Sequence, residues 1–204
     1  ETANSQALFV KVDVSDSSQV SAMVEQTVRH FGKLDVIYCN AAIQPHGQDA
    51  REHELEEAIW DRVMNINLKG VWLSAKYAIA AMLKTGGGSV IIAGSPTGLF
   101  GGAAGYTAYS SSKGGVIALT RIMAADYGKQ NIRVNCVVPG PIYTPLTKEM
   151  FDKEENQAFF QKATMLGRIG QPEEVTGLVV FLASDEARYC TGGLYMADGG
   201  ITAL

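Results

Sequence analysis

Tyr109-Ser110-Ser111-Ser112-Lys113 sets a phenol and an ammonium four residues apart, on one face of any helix that holds them. A free phenol titrates at about 10, too high for easy proton exchange at neutral pH, and a neighbouring cation favours its ionised form. The pair therefore suits proton transfer to or from an oxygen. Spacing alone is not specific: 8 Tyr and 10 Lys in 204 residues give about 0.4 such pairs by chance. The surrounding chain decides the reading.

Working outward, residues 89–93 form an apolar run that reads as a buried strand, followed by a Gly-rich loop to Tyr106. The helix carrying Tyr109 and Lys113 is expected to run to about Tyr127, and residues 133–138 read as a strand stopped by Pro139-Gly140. Toward the N-terminus, residues 8–14 and 34–39 read as two more strands. Between them lies a helix capped by Ser15 or Asp16, with Val20, Val24, Val28 and Phe31 on one stripe and Gly32 as its stop. Residues 54–83 hold a long helical pattern, read as two helices in tandem, with Ile59, Trp60, Val63, Met64, Leu68, Val71, Trp72 and Ala75 apolar. Pro172 opens a helix to about Ser184, and residues 193–197 make a short last strand. Strands alternating with helical crossovers predict an α/β fold, a doubly wound parallel sheet of the Rossmann type. Ligands of such sheets bind outside the carboxyl ends of the strands, and Asp13, Asn40, Ser95 and Thr144 each follow a predicted strand.

Length and composition fit one domain over residues 1–204. The chain is 47% hydrophobic, enough for a sizeable core, with a net charge of −4 and no basic stripe that would suit nucleic acid. No apolar run reaches transmembrane length. Cys39, Cys136 and Cys190 lack metal spacing and read as reduced thiols of a cytoplasmic protein. His30, His46 and His53 have no companions at ligand spacing, so no metal is expected. Glu1-Thr2-Ala3-Asn4-Ser5 has neither signal nor transit character.

Five ordered segments carry a resemblance to the classical short-chain dehydrogenase/reductase family. Val12-Asp13-Val14 looks like the strand end that receives adenine, and Cys39-Asn40-Ala41-Ala42 resembles the Asn-Asn-Ala-Gly signature. Asn65-Ile66-Asn67-Leu68 looks like the helix with the catalytic Asn, placed at Asn67. Gly94-Ser95 precedes Tyr109 and Lys113 as the family's catalytic Ser does, and Pro139-Gly140-Pro141-Ile142-Tyr143-Thr144 resembles the nicotinamide segment. The tail, Gly167-Arg168-Ile169-Gly170-Gln171-Pro172-Glu173-Glu174 through Asp198-Gly199-Gly200, is also similar.

The resemblance implies hydride transfer between NAD or NADP and an alcohol or carbonyl carbon. Tyr109 would be the general acid/base, Lys113 would lower its pKa and bond the nicotinamide ribose, and Ser95 would bond the substrate oxygen. Asn67 would hold a water linking Lys113 to solvent. Asp13 and Val14 would meet adenine, Asn40, Ala41 and Ala42 the adenosine ribose, and Pro139, Gly140, Ile142 and Thr144 the nicotinamide end. It also implies a homotetramer, and residues 145–165, with Met150, Phe151, Phe159 and Phe160, as a mobile cover over a fairly apolar substrate.

There are departures from the family pattern. Cys39 and Ala42 replace Asn and Gly of the signature, and Ser95 and Tyr109 stand 14 apart, with the extra residue assigned to loop 101–105. The largest is that this sequence starts at what resembles the third strand, so the N-terminal βαβ unit with its Gly-rich pyrophosphate turn is expected to be missing. The alternative reading is accordingly a truncated or non-catalytic member that keeps the oligomeric scaffold but binds cofactor poorly.

Overall fold

The computed structural model describes residues 6–101 and 103–203; Glu1–Ser5, Leu204 and the Gly102 of the loop insertion lie outside it. Four parallel strands, β1 (Val36–Cys39), β2 (Gly88–Ala93), β3 (Ile132–Pro139) and β4 (Leu194–Ala197), form one sheet in the order β1-β2-β3-β4. The register pairs Cys39 with Ile92 and Ile92 with Cys136, which brings the carboxyl ends of the first three strands side by side.

Helices cover both faces. Alternate residues of β2 serve opposite sides, as a two-residue period requires. Val90 and Ile92 pack with Val71, Ala75, Ile79 and Met82 of α3 (Gly70–Met82) and Val116 of α4 (Thr107–Tyr127). Ile91 turns the other way, onto Val175 and Leu182 of α7 (Glu173–Ala183). Val90, Ile91 and Ile92 are all fully buried. Each such side chain contributes about 1.5–3 kcal/mol of burial, which is why these strands read as continuous apolar runs.

α1 (Ser17–Phe31) is capped by Asp16, whose carboxylate accepts from the Ser18 and Gln19 amides at 2.8 and 3.2 Å, and it ends at Gly32 with φ 83°. Those bonds, led by the Ser18 hydroxyl, hold the Asp16 carboxyl down at about 2. α2 (Glu57–Met64) continues into α3 through a π-helical turn, Asn65–Lys69. The two tandem helices expected over residues 54–83 are thus α2 and α3, joined end to end into one rod by the wide turn. At Gly70 a Cβ would lie 2.8 Å from Val14 Cγ2, so the small residue lets the N-terminal segment press onto the rod.

Residues 8–14 do not form the expected strand. They adopt no regular structure, and Leu8 and Phe9 are 41% and 89% exposed. A strand is held by a ladder partner. Among the described residues β1 pairs only with β2, and no strand runs beside residues 8–14. Residues 145–165 contain α5 (Lys148–Phe151) and α6 (Glu154–Ala163), with Phe151 1% exposed and edge-on to Phe160.

After β2 the chain makes a short 3-10 turn, Pro96–Gly98, that lies directly on α4. A Cβ at Gly98 would stand 2.5 Å from the Lys113 carbonyl carbon and 2.7 Å from the Gly114 nitrogen. Backbone cannot yield as a side chain can. Gly98→Ala should therefore cost about 1–3 kcal/mol, lowering Tm in a thermal melt by about 2–4 °C per kcal/mol; an unchanged Tm would contradict this packing.

Candidate active site

The turn after β2 and the buried face of α4 meet at the carboxyl edge of the sheet. Ser95, Tyr109 and Lys113 are 7%, 9% and 3% exposed. The Lys113 ammonium donates to the Ala93 carbonyl at 2.8 Å and lies 5.7 Å from the centre of the Tyr109 ring. Burial brings its pKa down to about 8. Burial also raises the Tyr109 phenol above its ordinary value, with the nearby Ser95 hydroxyl opposing the rise. The phenol thus stands above its ordinary value, where a lowering by Lys113 was expected, because desolvation dominates and Lys113 is not among the causes of the shift. The hydrogen bonds of the Ser95 hydroxyl itself run to Thr97, at 3.1 Å to the hydroxyl and 3.3 Å from the amide.

Asn67 is fully buried in the π turn. Its Oδ1 accepts from the Ile43 amide at 2.8 Å, and its Nδ2 donates to the Ile43 carbonyl at 2.8 Å and the Ser112 hydroxyl at 3.3 Å. Both amide hydrogens are used. The residue pins the segment of Asn40, Ala41 and Ala42 that follows β1.

The other sequence-derived residues stand around these. Asn40 and Ala41 are exposed at the end of β1. Asp13 Oδ1 accepts from the Ser15 amide and hydroxyl at 2.9 and 2.7 Å, which lowers its pKa; its Oδ2 carries no hydrogen bond among the described residues. Val14 rests on Gly70. Pro139 ends β3, and the Gly140 amide donates to the Ala197 carbonyl at 3.1 Å. Ile142 bridges to Gly170, and Thr147 occupies both the amide and hydroxyl of Thr144, at 3.0 and 3.1 Å. Thr144 is therefore engaged in its own turn. Beyond this segment lies a 460 Å³ cavity between Pro141, Ile142, Arg168, Glu174 and Asp198; Asn67, Ser95, Tyr109 and Lys113 do not line it.

The contacts of two residues, His46 and Asp49, were not visible in the sequence. His46 Nε2 donates to the Leu146 carbonyl at 3.1 Å, since a carbonyl only accepts, so Nδ1 accepts from the Tyr106 hydroxyl at 3.0 Å. Asp49 accepts from the Ala108 and Tyr109 amides. Their partners lie about 60 to 100 residues away, beyond any spacing rule.

Comparison with known proteins gives the family. A family profile described as "Enoyl-(Acyl carrier protein) reductase" matches residues 1–202. The chain is 40% identical over 190 residues to a 3-oxoacyl-[acyl-carrier-protein] reductase of Thermotoga maritima, covering 93% of this chain and 75% of that protein. It is 39% identical over 202 residues to a cis-4-hydroxycyclohexanecarboxylate dehydrogenase of Sinomonas cyclohexanicum, covering 99% and 79%. A gluconate 5-dehydrogenase from Burkholderia cenocepacia J2315, solved in complex with NADP and tartrate, superposes with a TM-score of 0.89 at 30% identity, over 95% of this chain and 74% of that one. The chain belongs to the classical short-chain dehydrogenase/reductase family, the NAD(P)-dependent oxidoreductases of alcohol and carbonyl carbons.

The buried ammonium has a measurable signature. Its pKa is about 8 when folded against 10.5 in the free side chain. Between those values the unfolded chain binds more protons, so this group's contribution to stability rises as pH rises through that window. The span is worth about 3 kcal/mol. In urea unfolding at pH 7 and pH 10, wild type should gain roughly that much on Lys113→Met. Cys136 titrates in the same range and is coupled to Lys113, so the comparison is made with Cys136→Ala in both proteins. Parallel pH profiles would contradict the burial.

Proposed function

We propose that the chain catalyses reversible hydride transfer between NAD or NADP and an alcohol or carbonyl substrate, with Tyr109 as general acid/base. The observation that carries this reading is the buried Lys113 ammonium beside the Tyr109 ring, with Ser95 next to the phenol, at the carboxyl edge of a parallel sheet. The nicotinamide, when bound, supplies the hydride donor or acceptor. Tyr109 gives or takes the proton at the substrate oxygen. Ser95 donates to that oxygen where charge develops.

Lys113 spends one N–H on Ala93 and keeps two for ribose hydroxyls and water. Its positive charge resists protonation of the phenolate once the proton has left. Asn67 would hold a water linking Lys113 to solvent; its side chain is taken by Ile43 and Ser112, which leaves its main chain for that contact. The residues present fit the two ends of a nicotinamide dinucleotide: the unbonded Asp13 Oδ2 and exposed Asn40 and Ala41 suit adenosine, and the loop of Pro139, Gly140, Ile142 and Thr144 suits the nicotinamide. Leu99, Phe100 and Leu146, each 39–42% exposed, favour an apolar alcohol or ketone.

Tyr109→Phe should lower kcat by about 10²–10⁴-fold with dinucleotide affinity little changed. Wild-type turnover by this variant on any accepted alcohol would overturn the assignment.

We also infer a homotetramer. A 580 Å³ groove runs along α2, α3 and α4, lined by Met64, Leu68, Trp72, Leu119 and Ile122. Trp72 and Ile122 are 44% and 54% exposed. Such an apolar face on two adjacent helices suits a copy of itself across a two-fold axis. Light scattering at micromolar concentration should give four protomers, and Ile122→Glu should halve or quarter that mass. A monomeric wild type would contradict the inference. No helix among the described residues is long and apolar enough to cross a membrane.

A further inference from the structure

α4 is not capped by its own sequence. The residue at its N-cap is Tyr106, whose side chain makes no capping hydrogen bond and instead meets His46. The first amides of a helix have no partner inside it and must find one elsewhere. Here the partner is Asp49, about 60 residues earlier in the chain: Oδ1 accepts from the Ala108 amide at 3.1 Å and Oδ2 from the Tyr109 amide at 2.9 Å. Oδ1 also accepts from the Ala50 amide at 3.0 Å, which fixes the carboxylate on its own loop.

The same loop holds the neighbouring residues. His46 takes the Tyr106 hydroxyl at 3.0 Å, and Glu52 takes the Thr107 hydroxyl at 3.4 Å. Every residue from Tyr106 to Tyr109 is therefore gripped by a side chain of one loop. Of these loop side chains, Asp49 is the one that reaches the backbone of Tyr109.

We propose that Asp49 is a positioning residue for Tyr109: by bridging two successive amides it fixes the first turn of α4 and so aims the phenol at the reacting oxygen. The proposal rests on the reading of Tyr109 as general acid/base. Geometry sets the choice of residue. Each amide here meets its own carboxylate oxygen, so a carboxamide in the same pose would keep an acceptor for one amide and turn its NH2, a donor, toward the other. A negative group at a helix N-terminus is also favoured by the helix dipole. A misplaced phenol costs rate without loosening dinucleotide binding, because alignment at the reacting centre matters most to the chemical step. Asp49 therefore acts on kcat.

The test compares Asp49→Ala and Asp49→Asn with wild type, by steady-state kinetics and by NMR hydrogen exchange at individual amides. Asp49→Ala should lose about tenfold or more in kcat, with KM for the dinucleotide within about twofold. Asp49→Asn should recover part of the loss. Exchange at the Ala108 and Tyr109 amides should quicken by about tenfold in Asp49→Ala, while Val116 to Met123 stays protected. Wild-type kcat in Asp49→Ala, unchanged exchange at those two amides, or equal losses in both variants that merely track Tm would each overturn the proposal. Exchange reads the cap whether or not the protein turns over. Full activity of Tyr109→Phe, with fast exchange in Asp49→Ala, would instead sink the acid/base reading, and the positioning role with it, while leaving the cap in place.

Discussion

A lysine ammonium buried to 3% exposure, donating to the last carbonyl of β2, is the constraint around which the site is built. Removing a charge from water costs several kcal/mol unless partners replace it. Here the partner is one main-chain oxygen, so the Lys113 pKa falls but remains at about 8 and most of the charge survives at neutral pH. To reach Ala93, α4 must lie close to the strand end. Gly98 permits that approach, since any Cβ there would collide with the Lys113 carbonyl carbon. The sheet core secures the rest: Val116 on α4 packs with Val90 and Ile92 on β2, three residues beyond Lys113 on the same helix.

The same logic sets the neighbouring elements. Asn67 is buried in a π turn and spends its whole side chain on Ile43 and Ser112, tying the loop after β1 to the helix layer and to α4. The loop continues through His46, Asp49 and Glu52, each of which meets the start of α4. Three segments far apart in sequence thus converge on one helix turn. The resulting phenol is desolvated and held above its ordinary pKa. In this arrangement it is a protonated donor waiting for charge, rather than a ready phenolate.

Much of this was readable in the residues. The runs at 89–93 and 133–138 became β2 and β3 because strands buried on both faces are continuously apolar. The four-residue spacing of Tyr109 and Lys113 placed both on the buried face of α4. Asn67, Ser95, Tyr109 and Lys113 lie where a parallel sheet presents its ligands. Residues 8–14 looked like a strand for the same reason as 89–93, yet pattern does not provide a neighbour to pair with. The π turn left no mark in a pattern read at ordinary helical spacing. Asp49 and His46 gave no local signal, because their partners are set by the fold. Thr144 stands in the loop after β3, whereas Asp13 ends no strand, and the hydrogen bonds of both, to Thr147 and Ser15, come from turn chemistry at close range.

The fold buries a lysine whose charge is retained beside a desolvated tyrosine. An NMR titration of the Lys113 side chain, assigned by comparison with Lys113→Met, tests it directly. The midpoint should lie near 8, well below the 10.5 of a free lysine. A midpoint at the ordinary value would mean that Lys113 is solvated, and that the electrostatic basis of this site is wrong.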